Sequence, residues 1–440
     1  MFACPNCGGN LKFDIPSQQL ACEYCHTQAD PYSFDDKSQK SFETQDYEVT
    51  VFSCPQCGGE IVSADTSAAE FCSFCGASTI LHSRLRNEKR PNYIIPFQKT
   101  KEDCKQAYSA LMKKAFFAPD ALKNPKHIDS FRGIYMPYWA FYITQKNDFS
   151  LNGSRSHRRG DYIITDHFQL KGDIDAYYKG LSYDASSSFD DNISEKIAPY
   201  DVKGMKAFTP AYLSGFYADT ADVSSEEYRM QAEDLATENS VKHIYRAPEF
   251  AGIGIKGSLG SGALGTKTEN VDSTMFPVWF LSYRNGGRVA YATVNGQTGK
   301  VVTDLPIDTR KYTLCSLLLA IPIFLLLNLF LTLTPTTMLV ITTIIAALCL
   351  GIYFFEIGAI KKKENLEKKK SSGLFGAIAG IIIGILILIL QPISDLYYYG
   401  GAILSLCTVM LTIKDIIYYY NIMSTRRLPQ FDRTGGDDCA

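Results

Sequence analysis

Thirteen cysteines occur in the 440 residues, and eight of them fall into four C-x-x-C pairs. Cys4 and Cys7 are followed by Cys22 and Cys25, and Cys54 and Cys57 by Cys72 and Cys75. Two thiolates separated by two residues can bind one ion from a single tight turn, and two such turns complete a tetrahedral set around zinc. Each quartet therefore predicts one structural Zn2+, two per chain. Four sulfur ligands leave no position open to water or substrate, so the sites would be structural and not catalytic. A redox role for C-x-x-C needs a thioredoxin-like βαβ setting, which the flanking sequence lacks. His26 adjoins Cys25 but is surplus to a complete Cys4 set and is read as non-ligating. The other five cysteines are scattered, unlike a secreted disulfide framework, and the opening MFACPNCGG shows no basic or apolar leader. A reducing, cytoplasmic setting is expected.

The elements that must position these thiols repeat. Cys4-Pro5-Asn6-Cys7-Gly8-Gly9 recurs 50 residues later as Cys54-Pro55-Gln56-Cys57-Gly58-Gly59, and both units read C-x2-C-x14-C-x2-C. A glycine after the second Cys lets the backbone fold round the sulfurs, and the spacer suits a short hairpin. Two small β zinc ribbons are predicted, over 1–35 and 50–85, with an acidic linker at Asp35, Asp36, Glu43, Asp46 and Glu48.

Residues 91–309 read as an α+β domain. Thr100 with Asp103 marks a helix start, continued by Cys104, Tyr108, Leu111 and Ala115 at helical spacing. Ser224, with Glu227 three residues on, opens a second helix reaching Tyr245. Residues 138–183 are rich in aromatic and β-branched types and read as strands, as does the hairpin of 276–283 and 288–295 around Asn285-Gly286-Gly287. The two tryptophans sit in similar segments, around Trp139 and Trp279, read as a duplicated core strand. Two G-x-G-x-x-G matches begin at Gly252 and Gly260. Neither opens a helix or ends in a P-loop Lys, so the segment reads as a flexible loop. His157, Arg158 and Arg159 read as a solvated hairpin tip.

Four apolar stretches follow, near 312–333, 338–355, 374–390 and 396–413, each close to the roughly 20 residues a bilayer needs. They predict a four-helix transmembrane region over 310–423 and a tail over 424–440. Arg310 and Lys311, the lysines at 361–363 and 368–370, and Arg426 and Arg427 then lie on one side, which places both termini in the cytoplasm. Gly376, Gly380 and Gly384 repeat every four residues on the third helix, a spacing suited to close helix approach and to a homo-oligomer. No run of acids or histidines marks an ion pathway.

Charge bears on partners. Residues 1–90 hold seven Lys and Arg against twelve Asp and Glu, a net of −5. Two Zn(Cys)4 centres would each add −2. Nucleic-acid affinity comes chiefly from cations on phosphates, so protein recognition is the better match for a surface near −9. No nucleophile, base and orienter set is legible.

The ribbon motifs, the segment FPVWFLSYRNGGRVAYATVNGQTGKVVTDLP and the tail RRLPQFDRTGGDDCA resemble those of bacterial membrane proteins with transcription-factor-IIB-type zinc ribbons, sometimes labelled primosomal-helicase-like. Some relatives are similar to proteins encoded beside phage-shock-type and flotillin-like proteins, and the resemblance implies a membrane-stress or recruitment role. The expectation is a multi-pass cell-membrane scaffold, not an enzyme, that recruits a flotillin-like or phage-shock-type protein partner. The alternatives are a membrane-tethered nucleic-acid-linked regulator and an enzyme housed in the α+β domain.

Overall fold

The computed structural model describes residues 2–34, 46–63, 72–77, 82–330, 334–357 and 372–429. The first ribbon is a three-stranded antiparallel sheet of β1 (Leu11–Asp14), β2 (Gln19–Cys22) and β3 (Gln28–Ala29). Its alternating Leu11, Phe13, Leu20 and Cys22 turn inward, as the period of two requires. Phe13 packs edge-on against Tyr212 of the main domain, with ring centroids 5.1 Å apart.

The second ribbon is not free-standing. Its strands β4 (Asp46–Ser53), β5 (Glu60–Ser63) and β6 (His82–Lys89) belong to the large sheet. The junction is a two-residue strand, later in the chain and labelled β11 (Tyr217–Ala218), which pairs antiparallel with β5 on one side and parallel with the long strand β8 (Arg132–Arg159) on the other. Asp46 and Glu48, expected in a linker, lie in β4; Asp35, Asp36 and Glu43 fall outside the described residues.

Between these, β7 (Tyr93–Ile94) leads to helix α1 (Lys101–Lys114), which starts where the sequence predicts. Thr100 and Asp103 form a reciprocal capping box, and Cys104, Tyr108 and Met112 are its buried face. Short helices α2 (Asp120–Lys123) and α3 (Pro125–Ile128) precede β8. Strand β9 (Tyr162–Asp184) returns along β8 as a long hairpin, with His157, Arg158 and Arg159 exposed at its turn. Helices α4 (Asp191–Ile197) and α5 (Ser225–Tyr245) follow, α5 capped by Ser224. Two-residue β10 (Lys206–Ala207) pairs with β7.

The glycine-rich segment carries β12 (Gly254–Lys256), paired with β8, and buries Leu259 and Leu264 against Phe149, Leu151 and Leu170. It is a packed cover and not a flexible loop, because two leucines interrupt its small residues. Strands β13 (Thr266–Asn285) and β14 (Arg288–Asn295) form the predicted hairpin, with Gly286 at φ +59° in the turn, and β15 (Val301–Thr303) adds to β14. The tryptophan strands prove to be neighbours: β13 runs antiparallel to β8, with Met275 opposite Pro137. Each indole N–H donates to a backbone carbonyl, Trp139 to Val223 at 2.8 Å and Trp279 to Lys99 at 2.9 Å, so both are core anchors. The NGQTG turn is a clamp. Buried Asn295 donates to the Ile197 carbonyl at 3.0 Å, and Gln297 exchanges two hydrogen bonds with the Asp201 backbone.

The C-terminal part is helical and apolar: α6 (Thr309–Phe330), α7 (Pro335–Ile352), α8 (Ser372–Leu390) and α9 (Asp395–Met423). Among the described residues, two helices, Pro335–Phe355 and Asp395–Met423, are long and apolar enough to cross a membrane. The sequence predicts four. In α8 the apolar run is Phe375–Leu390, about 24 Å at 1.5 Å per residue against a ~30 Å hydrocarbon core. The first turn of α6 is polar, and 331–333, the end of its apolar stretch, lie outside the described residues, as do the lysines at 361–363 and 368–370.

Helices α7, α8 and α9 pack together. A Cβ on Gly380 would meet Thr408 at 2.9 Å, and one on Gly384 would meet Thr343 at 2.6 Å. The glycine stripe is therefore occupied within the chain, and a homo-oligomer through this face would have to displace these contacts. Buried Thr343, Thr408 and Thr412 donate to carbonyls of their own helices.

After α9 the chain re-enters the large sheet as β16 (Arg426–Arg427), paired to β14. Arg426 lies between Asp190, at 2.9 Å, and Asp304, and Leu428 packs against both the sheet core and the second ribbon. Where α6 begins and α9 ends, Asn421 accepts from the Ile307 N–H at 2.7 Å and donates to the Ile307 carbonyl at 2.9 Å.

Candidate metal centres

The eight predicted cysteines come together as two quartets. Within each, all four sulfurs lie within 4.8 Å of one another, and His26 belongs to neither. Cys54 and Cys75 Sγ are 3.8 Å apart, Cys57 and Cys72 Sγ 3.7 Å. Tetrahedral zinc with bonds of ~2.3 Å needs sulfurs roughly 3.8 Å apart, so the second quartet has the spacing the ion demands. The first is slightly tighter, 3.5 Å for Cys4–Cys25 and 3.4 Å for Cys7–Cys22.

One local geometry, repeated four times, aims these thiols. In each turn the first cysteine's carbonyl accepts from the residue four positions on, at 2.8–3.0 Å: Gly8, His26, Gly58 and Gly76. All four of those residues have positive φ, +74°, +58°, +76° and +69°. Three are glycine, the residue that adopts this conformation without strain. His26 is the exception, which gives it a backbone role in the turn. The Thr27 hydroxyl, 3.1 Å from Cys25 Sγ, holds that thiol below its ordinary value, at about 6; the thiolate is the form a metal takes. Thr27 was not singled out from the sequence, although its place two residues after the last ligand is the available signal.

The two centres differ in exposure. Cys54, Cys57, Cys72 and Cys75 are all buried, within a cluster that includes Phe52, Ile61 and Phe74. In the first centre Cys4 and Cys22 are buried, Cys25 is half-buried and Cys7 is exposed. The reason lies in what each ribbon packs on. Phe74, 1% exposed, stacks edge-on against Phe280 of β13, and its carbonyl accepts from the Tyr291 hydroxyl at 2.8 Å. Gln56 accepts from Arg284 at 2.8 Å. The equivalent of Phe74 in the first ribbon is Tyr24, which is 76% exposed. That ribbon instead docks through its β1–β2 hairpin: the Phe13 N–H donates to the Ser214 carbonyl at 3.0 Å, and Gln18 to the Phe97 carbonyl at 2.8 Å.

No family model matches the chain, and no solved structure matches it. Among curated proteins, "Uncharacterized protein YdjG" of Bacillus subtilis (strain 168) is 31% identical over 314 residues, which covers 70% of this chain and 91% of that protein.

Proposed function

Because the chain belongs to the family of YdjG, whose name assigns no activity, we propose a function from its own metal centres: a membrane-anchored adaptor whose zinc ribbons recruit another protein to the cytoplasmic face of the cell membrane. Both quartets hold structural zinc in this reading. The observation that carries it is the asymmetry between the ribbons. One buries its cysteine turns against a β-hairpin, while the other presents the same turns, with Tyr24 at their tip, to solvent. A closed, four-sulfur centre rigidifies such a surface without offering a site for substrate.

The membrane part of the reading takes α6, α7, α8 and α9 as four spans with both termini cytoplasmic. The Ile307–Asn421 pair supports it, because it holds the start of α6 beside the end of α9 on the side of the soluble domain. Such a meeting requires an even number of crossings. A flotillin-like or phage-shock-type partner follows from the sequence resemblance alone.

The test is affinity capture from membranes with the full-length chain and with Tyr24→Ala. The adaptor reading expects a protein partner held by the wild type and lost at least tenfold in the variant, with zinc content unchanged. Equal capture by both, or capture of nucleic acid in place of protein, would overturn it.

A further inference from the structure

A cleft of about 290 Å³ lies where both ribbons meet the sheet, walled by Lys12 of β1, Ser63 at the end of β5, Lys101 at the start of α1, Arg132 at the start of β8, and the rings of Phe216 and Trp279. Three cations converge on it, and among the described residues no carboxylate lines it. Lys12 shares Glu23 at 2.7 Å. Lys101 and Arg132 are half-buried, and among the described residues neither side chain has a hydrogen bond or ion pair. Asp129, one of the two acids that act on Lys101, is held by Lys105 at 2.7 Å. Burial, followed by the charges of Lys105 and Arg132, holds the Lys101 ammonium below its ordinary value.

We propose that this cleft binds a small phosphorylated ligand from the aqueous phase, with Arg132 and Lys101 on the phosphate and Lys12 at the rim. Two adjoining half-buried cations that no carboxylate contacts among the described residues are costly, and a dianion relieves both at once. Arg132 supplies the planar fork that grips two phosphate oxygens, and Lys101 a point charge beside it. Phe216, stacked on Phe97 with centroids 4.5 Å apart, is a fixed apolar wall for the organic portion. The backbone is shaped to seat the aromatic wall closely. A Cβ at Gly133 would strike Phe216 at 2.5 Å, and Gly215, at φ +87°, turns the chain at the rim. The volume is near the lower end for small-molecule sites, a size that suits a phosphomonoester.

Geometry also separates a soluble ligand from a lipid headgroup. Lys101 is at the start of α1, and the residues after the other end of α1 meet the apolar helices, through Phe117 on Tyr312 and Asp120 on Lys311. Fourteen helical residues place the cleft about 20 Å back from that junction.

The inference is independent of the adaptor reading. Calorimetric titration of the detergent-solubilised full-length chain tests it, with inorganic phosphate, glycerol 3-phosphate and vesicles containing anionic lipid as probes. Saturable binding of the two soluble phosphates is expected, weakened at least tenfold in Arg132→Gln and Lys101→Gln, less in Arg132→Lys, and unchanged in the exposed Lys113→Gln. Without ligand, Arg132→Gln should melt no lower than the wild type, which separates lost binding from lost folding. Absence of saturable binding, equal affinity in Arg132→Gln, or binding to vesicles alone would overturn the proposal.

Discussion

Cys57 and Cys7 occupy the same place in the two repeats, yet their removal should have different consequences. Structural zinc contributes on the order of 10 kcal/mol of folding free energy in small domains. Cys57 is buried in the cluster whose Phe74 packs on Phe280 of β13, so Cys57→Ser should lose its bound metal and also lower the melting temperature of the large sheet. Cys7 is exposed, so Cys7→Ser should lose one zinc while the sheet melts nearly as before. Metal analysis beside thermal unfolding checks both; equal thermal losses would contradict the asymmetry. A second residue-scale prediction concerns Asp184, at the end of β9. One carboxylate oxygen is buried and without a hydrogen-bond partner among the described residues, and burial raises its pKa to about 6. An unfolded Asp titrates near 3.9. Below pH 4 the group is protonated in both states. As pH rises from about 4 to 6 the unfolded state ionises first, so stability falls, and the loss is complete above the folded pKa. Asp184→Asn should therefore gain roughly 1–3 kcal/mol at pH 7 and little at pH 4. Denaturant midpoints at the two pH values measure it, and a loss of stability at pH 7 would show that the charge is in use.

At the scale of elements, β16 is a two-residue strand with a disproportionate role. Arg426 lies between Asp190 and Asp304 and over the ring of Tyr291, centroid distance 5.5 Å. Truncating it leaves two largely buried carboxylates uncompensated. For a fully buried pair that costs several kcal/mol; with the guanidinium partly exposed, about 2 kcal/mol is expected for Arg426→Ala. The measurement is the chemical denaturation of the soluble domain, and protease cleavage near the β14 edge should rise in step. Nothing in the sequence marks Arg426 as anything but a basic residue flanking an apolar helix, because its partners lie 122 and 236 residues away. The local elements were legible: the capped helices α1 and α5, the hairpin at Asn285 and the eight cysteines all follow from short-range spacing. The annexation of the second ribbon was not, since β11, which makes it, is only two residues long and carries no periodicity. The packed cover at 252–265 was hidden by its glycine content, which masks the two leucines that anchor it.

For the whole molecule, the topology is the property most open to direct test. Cysteine-accessibility labelling at Thr425→Cys and at Thr334→Cys, the cap of α7, should report opposite faces of the membrane if four helices cross. Labelling of both from the same side would mean that fewer than four cross. The return of the chain from α9 into the sheet also has a consequence for biosynthesis. When residues 1–309 have left the ribosome, β14 is paired with β13 and β15, but Arg288 and Val289 still lack β16, and Asp190 and Asp304 still lack Arg426. At 5–20 residues per second the ribosome needs roughly 6–24 seconds to reach residue 426. During that interval the Arg288–Val289 end of β14 is an uncovered edge and two carboxylates wait without their cation. The edge of β14 and its ion pair are therefore completed only after the apolar helices α6–α9 have been synthesised.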